Sequence, residues 1–424
     1  MAVIGVYLAA GLLVYANALA VFFAQDDFIL IREYTSRSLG ANILHLFAYP
    51  SVSHFRPMHY LYLLVSESLF GQSYQGYHLV TILLLVYSSV LVYLALGTLT
   101  KSKKVGFAAG FFYAVSAVHF NSVYWISGSA TLIGFALFIT SFYLLLRNRR
   151  TPSILVLFLS FLASESLLMG VPILIAYAYI FKIKRRVGFT AFVGLLAVFS
   201  AVARLLFLTQ VQTFAAYRIS LTSQVMQSVK YYAARLLGLS ESSGDLVLSS
   251  LVIVIDLLLL TLITLDFVKV KQRKIYLLAV IVILCGLFPF VLIPGHLAAN
   301  YLSLSFLGVC LAGAVALRRV PMIFLVIILA VWMILQVFVV RTTGNNTWIT
   351  KRAQAAKNYL VTLKRANIPA GSTVLFKNNP TGDILETYVV LGGGRALDFW
   401  FPDKNYKYCF AINRQCPNGV TIRL

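Results

Sequence analysis

The chain has 424 residues, 60% hydrophobic and only 11% charged, and its formal net charge is +22. Several apolar runs of about 18–25 residues match the thickness of a bilayer's hydrocarbon core, which excludes a soluble globular domain. The excess of Lys and Arg is not a nucleic-acid signature, because most of it lies in short clusters between apolar runs, where it marks cytoplasmic loops.

The first apolar run, 2–24, lacks a basic n-region and a clean small-x-small cleavage site, so it is expected to be a retained helix. Further spans are expected near 76–97, 105–121, 129–146, 152–164, 166–181, 188–208, 246–267, 275–293, 299–317 and 320–340, about eleven in all. With these spans, the clusters Lys101-Lys103-Lys104, Arg147-Arg149-Arg150, Lys182-Lys184-Arg185-Arg186, Lys269-Lys271-Arg273-Lys274 and Arg318-Arg319 share one side. The N-terminus is then cytoplasmic and the C-terminus extracytoplasmic. The expected location is the plasma membrane of a prokaryote.

The outer side receives two long loops. The first, 25–75, is expected to hold short interfacial helices with Phe47, Tyr49, Tyr60, Tyr62 and Phe70 at headgroup level. The second covers 209–245. All six histidines (His45, His54, His59, His78, His119, His296) map to the outer half, as do Asp26, Asp27, Glu33, Glu67, Glu165, Glu241 and Asp245. Asp256 and Asp266 depart from this pattern, in the eighth span. Cations on one face and titratable acids and imidazoles on the other suit chemistry on the second face. Positive-inside bias alone explains part of the displacement of acids, but not the histidines.

Residues 1–341 form the expected membrane domain and 342–424 a small extracytoplasmic α/β appendage. In the appendage, Thr347–Ala366 reads as a basic amphipathic helix, Thr373–Phe376 as a strand and Gly382–Leu391 as a helix stopped by Gly392-Gly393-Gly394. The triple glycine lacks the strand-to-helix context of a phosphate loop and reads as a turn. The basic helix is expected to rest on anionic headgroups, the alternative being that it covers a channel on that face. Cys285 and Cys310 fall within apolar runs. Cys409 and Cys416 can pair in an oxidising compartment or remain free.

The chemistry centres on Asp26-Asp27, just past the first span. Carboxylates at a membrane boundary are costly unless solvated, paired or used; taken alone, the pair fits a solvated helix end equally well. Then come, in order, His54-Phe55-Arg56-Pro57, Phe70-Gly71, Tyr77-His78, Val123-Tyr124-Trp125-Ile126-Ser127-Gly128, Ala163-Ser164-Glu165-Ser166 with Pro172, and Pro294-Gly295-His296 with Asn300-Tyr301-Leu302 and Gly308. Arg56 before a proline presents a cation on a rigid turn, suited to a phosphate, although an interfacial snorkelling arginine looks the same.

This ordered set, spanning about residues 1–317, resembles the GT-C glycosyltransferases that use polyprenyl-phosphate sugars. The likeness is to protein O-mannosyltransferases, aminoarabinose transferases and the membrane region of tetratricopeptide-containing mannosyltransferases. The chain departs from their pattern at Ser164 (a family lysine), Asn300 (a family arginine), and Thr81 and Leu85 (a family Asn and His).

The resemblance implies an all-α polytopic GT-C bundle. It also implies inverting transfer of a mannose-like hexose or a pentose from a polyprenyl-phosphate donor to a hydroxyl acceptor on protein, lipid or glycan. Asp26 would be the general base and Asp27 its partner. Arg56 would stabilise the leaving phosphate, with Arg204, Arg218 and Arg235 as substitute cations. His54, His59, Glu165, His296, Asn300 and Tyr301 would contact substrate. A divalent cation is possible in this superfamily, and no ligand spacing settles it. Membrane lipids are expected partners and nucleic acid is not. The alternatives are a non-catalytic scaffold of the same fold and a lipid-linked-sugar transporter; the absence of an internal repeat weighs against the transporter.

Overall fold

The computed structural model describes residues 2–48, 54–207, 218–241, 246–267, 272–376, 383–411, 416 and 420–422. Tyr49, Asp245, Lys269, Lys271 and Gly382, used in the reading above, lie outside these. The helices are α1 Ala2–Tyr15, α2 Asp26–Thr35, α3 Leu39–Ala48, α4 Pro57–Phe70, α5 Tyr74–Thr100, α6 Lys103–Val115, α7 Phe120–Tyr124, α8 Ala130–Leu146, α9 Arg150–Ala163 and α10 Gly170–Ile180. They continue as α11 Arg186–Phe207, α12 Gln224–Leu236, α13 Leu246–Phe267, α14 Arg273–Val291, α15 Ser303–Ala316, α16 Met322–Asn346, α17 Trp348–Arg365, α18 Ile384–Val390 and α19 Arg395–Trp400.

Among the described residues, eight helical segments are long and apolar enough to cross a membrane, and Arg150–Ala163 and Glu165–Ile180 are shorter apolar helices. Together with α6 they account for every expected span, in an all-α polytopic membrane protein. The fifth and sixth spans are short, as read. The first differs from expectation. Its α-helix stops at Tyr15, a tighter 3₁₀ turn carries Ala16–Ala20, and the chain then runs extended. Phe22, Phe23 and Ala24 leave the bundle because they pack into a second core outside it.

Small residues allow the bundle helices to approach closely. A Cβ on Gly106 would lie 2.5 Å from the carbonyl of Tyr93, and one on Gly110 would lie 2.6 Å from that of Ser89, so α6 lies directly on α5. The two acids that escaped the outer side have separate explanations. Asp266 accepts hydrogen bonds from Arg318 (3.1 Å) and the Tyr276 hydroxyl (2.9 Å), so it balances a basic cluster. Asp256 borders an apolar cavity of about 280 Å³ lined by Phe112, Phe306 and Trp332.

The described part of the segment between the first two spans holds the short helices α2, α3 and α4, as expected. Leu39, Ile43, Leu44 and Phe47 lie exposed on α3, the pattern of an interfacial helix. Tyr60 is not exposed as an interfacial anchor would be. It is buried and stacked on Tyr34 at 3.8 Å, because α4 folds back on α2. Tyr62 likewise turns inward and donates to the carbonyl of Tyr77 at 3.1 Å.

The appendage carries α17, α18, α19 and a parallel sheet of β1 Thr373–Phe376, β2 Lys407–Phe410 and β3 Val420–Ile422, in the order β2-β1-β3. Cys409 and Cys416 are joined by a disulfide. α16 runs through the expected junction at 341/342 as far as Asn346. The appendage shares one core with the first outer loop: Phe22, Phe23, Phe28 and Ile31 pack with Leu360, Val390, Leu397 and Phe399. Phe399 lies edge-on to Phe23 at 5.4 Å.

Candidate active site

The adjacent carboxylates at the start of α2 occupy opposite environments. Asp27 is buried. Its Oδ1 accepts from the Ser127 backbone N–H (2.8 Å) and hydroxyl (2.6 Å), and its Oδ2 from the Ala24 N–H (3.0 Å). Both oxygens are committed to holding the Trp-Ile-Ser-Gly turn against the end of the first span. Burial pushes the Asp27 pKa up to about 7, against those hydrogen bonds. Asp26 is half-buried and lines an open cavity of about 540 Å³ between α2 and the appendage. Burial raises its pKa too, opposed by a hydrogen bond with Gln25 and by the charges of Arg352 and Arg56.

Other motifs of the ordered set brace this corner. His78 faces two carbonyls, Nδ1 to Val123 (2.8 Å) and Nε2 to Val21 (2.9 Å), and so ties the Trp-Ile-Ser-Gly turn to the exit of the first span. The Tyr77 hydroxyl donates to Gly71 at 3.0 Å, which explains the spacing of Phe70-Gly71 and Tyr77-His78 as packing.

A second cluster forms at the start of α4 and the end of α11. Glu165 accepts from Arg56 through both its oxygens (Nε to Oε2, 2.9 Å) and from Arg204 Nη1 (3.0 Å). Arg204 Nη2 also donates to the carbonyl of Phe161. Two guanidiniums against one carboxylate leave a net positive charge. Burial opposes the Arg56 charge, but Glu165 more than offsets it and holds the Arg56 pKa above its ordinary value. His54 Nε2 lies 4.0 Å from Glu165. Burial and the Arg56 charge push His54 down to about 4, burial and Arg56 push His59 down to about 3, and His296 is lowered for the same reasons. These imidazoles are therefore neutral near pH 7. Tyr301 joins the cluster through His296, at 5.8 Å between rings, and interacts electrostatically with Arg56.

The structure thus brings Arg56, Arg204, Glu165, His54, His296 and Tyr301 together, with His59 buried close behind. Asn300 is buried beside Tyr301 at a small cavity that also touches Ser166. Arg218 is exposed ahead of α12. Arg235 has other partners. Arg235 donates to Leu239 (2.7 Å) and covers the ring of Tyr231, whose hydroxyl bonds Glu241. Among the described residues, no group of three or more His, Cys, Asp or Glu side chains is placed to hold a metal ion.

Sequence reasoning offered a covering role only for the basic helix of the appendage and missed the contacts that its later segments make around Asp26. Gln25 donates its N–H to Val390 (3.0 Å), and its side chain accepts from Arg352 (2.7 Å), which also grips Glu386 through two bonds. Tyr388, Gly392, Gly393, Arg395 and Tyr408 wall the Asp26 cavity. The triple glycine was visible in the sequence, but its partner was not.

No family model matches the chain, and no curated protein matches it. Among solved structures, the chain is similar to the cryo-EM structure of the arabinofuranosyltransferase AftD from mycobacteria. The TM-score is 0.47 at 13% sequence identity, over 94% of this chain and 32% of that one. The chain therefore spans about a third of the length of that protein.

Proposed function

We propose that this protein is a GT-C-type membrane glycosyltransferase that moves a sugar from a polyprenyl-phosphate donor to a hydroxyl acceptor with inversion. The observation that carries the reading is the asymmetry of the acid pair. Asp27 is locked by Ser127 and Ala24, whereas Asp26 borders an open cavity and feels the charge of Arg56.

In the reaction, the acceptor hydroxyl gives its proton to the Asp26 carboxylate as its oxygen attacks the anomeric carbon. The bond from that carbon to the phosphate oxygen breaks, and the electron pair leaves with the polyprenyl phosphate. The developing charge falls to Arg56 and Arg204, whose net excess of one positive charge over Glu165 suits an anion. His54 and His296, neutral near pH 7, can hydrogen-bond the phosphate or sugar without adding charge. Arg204, close to Glu165, takes the place of the cations that the related families carry at Ser164 and Asn300. The motif order from Asp26 to Gly308 supports the same assignment.

The test is sugar release from synthetic polyprenyl-phosphate sugars by purified protein in lipid nanodiscs, comparing wild type with Asp26→Asn and Asp27→Asn. Turnover by wild type that is lost in Asp26→Asn, with folding intact, is the expected result. Donor binding without turnover in every variant would instead favour a carrier or scaffold.

A further inference from the structure

We propose that the cavity between α2 and the appendage is a carbohydrate acceptor subsite, walled by Tyr388, Tyr408 and Arg395 and bordered by Asp26. The proposal rests on the transferase reading for the role of Asp26 and narrows its acceptor class to glycans.

The cavity volume, about 540 Å³, falls within the range of roughly 300–1,000 Å³ typical of small-molecule sites. Its lining separates three ligand classes. Among the described residues, Ile29 and Val389 are its only aliphatic side chains, too few for a lipid tail. The guanidinium of Arg395 is already paired with Asp398 at 3.6 Å, so together with Asp26 the wall carries no excess positive charge and a phosphate gains little there. Two tyrosine rings with a carboxylate, a guanidinium and an amide suit a neutral polyol. The flat C–H faces of a sugar lie against aromatic rings, and its hydroxyls pair with the polar groups.

The triple glycine explains how the tyrosines reach this position. Gly392, Gly393 and Gly394 all have positive φ (56°, 65° and 99°), which side-chain-bearing residues rarely adopt. A Cβ on Gly394 would lie 2.2 Å from the Tyr408 ring, and one on Gly393 would lie 3.2 Å from the Tyr388 hydroxyl. Both rings therefore rest directly on the loop backbone. A Cβ on Gly392 would lie 2.8 Å from the Gln25 carbonyl, so the same loop seats against the residue before Asp26. The appendage is further fixed by Arg352 to Gln25 and by Gln72 to the Phe399 carbonyl at 3.0 Å. The rings and the carboxylate are thus held in one rigid frame before any ligand arrives, which reduces the cost of binding.

The experiment uses donor-free wild-type protein in nanodiscs, where no transfer can occur. Saturation-transfer NMR and calorimetry measure its binding of neutral di- to tetrasaccharides of mannose, glucose and arabinose, with a serine-rich hexapeptide as the rival acceptor. Oligosaccharide binding is expected, weakened about tenfold or more by Tyr408→Ala or Tyr388→Ala and retained by Tyr408→Phe. Retention in Tyr408→Phe shows that the fold survives at this position and that the ring carries the effect. In turnover, Tyr408→Ala should raise the acceptor KM far more than it lowers kcat.

Failure to bind any of the oligosaccharides, or binding indifferent to both tyrosines, would overturn the proposal. So would binding of the peptide alone. Carbohydrate binding without turnover on any donor would leave this subsite standing and remove the transferase reading. Turnover onto a peptide or lipid without oligosaccharide binding would do the reverse.

Discussion

Ser127 donates both its backbone N–H and its hydroxyl to one oxygen of Asp27, at 2.8 and 2.6 Å. The contact joins the start of α2 to the turn before α8 and commits Asp27 to structure. An asparagine there can accept from Ser127 only by turning its amide N–H₂ toward the Ala24 N–H, leaving two donors face to face. Asp27→Asn should therefore cost about 1–3 kcal/mol of stability, the penalty of an unmet buried donor. Asp26→Asn, at an open cavity, should stay within about 0.5 kcal/mol of wild type. Thermal melts of the two variants in nanodiscs check the contrast; equal losses would contradict it.

Asp27 also gives stability a pH dependence. An unfolded aspartate titrates near 3.9, and burial raises the folded value to about 7. Between those values the folded protein holds a proton that the unfolded chain has released. The stabilisation is complete below about pH 4 and is lost as pH rises through about 7. Wild type should lose melting temperature relative to Asp27→Asn across this window. A constant difference from pH 4 to pH 8 would show that Asp27 titrates at an ordinary value.

Glu165 occupies the cations that the proposed mechanism assigns to the donor phosphate. Replacing Glu165 with Gln leaves Arg56 and Arg204 with no acid between them and a local charge higher by one. Affinity for polyprenyl phosphate should tighten by about tenfold, or ~1.4 kcal/mol, while the melting temperature falls because two partly buried guanidiniums lose their counterion. Arg204→Gln should weaken the same binding. Calorimetric titration of the donor-free protein reads both. Weaker binding in Glu165→Gln would mean that the carboxylate positions the arginines for the phosphate rather than competing with it.

The seat of the appendage depends on Gly392. Its φ of 56° and the 2.8 Å approach of a Cβ to the Gln25 carbonyl make Gly392→Val strained in backbone and contact alike. The hydrogen bond from the Gln25 N–H to Val390 should open, raising hydrogen exchange at Gln25 and in α18 while the bundle helices keep their protection. Unchanged exchange at Gln25 would show that the appendage is held without this loop.

What was legible in the sequence was local. Apolar run length located the spans of the bundle, and amphipathic period and turn residues located α17, β1 and the triple glycine, because each depends on neighbours along the chain. Pattern order singled out Asp26, Asp27 and Arg56, with Glu165 among the candidate substrate contacts. Their states were set by contacts between distant segments. The carboxylate that borders the open cavity is Asp26, whereas donors from Ser127 and Ala24 consume Asp27. Arg56 and Arg204 lie together, apart from Arg235, because the packing of α4, α9 and α11 brings both to Glu165. The appendage walls the Asp26 cavity because Phe22, Phe23 and Phe28 bury their rings against Leu397 and Phe399. Local hydropathy determines that a residue lies at the membrane boundary, whereas the freedom of its side chain to react depends on which remote groups desolvate it or bond to it, and only the tertiary structure sets that.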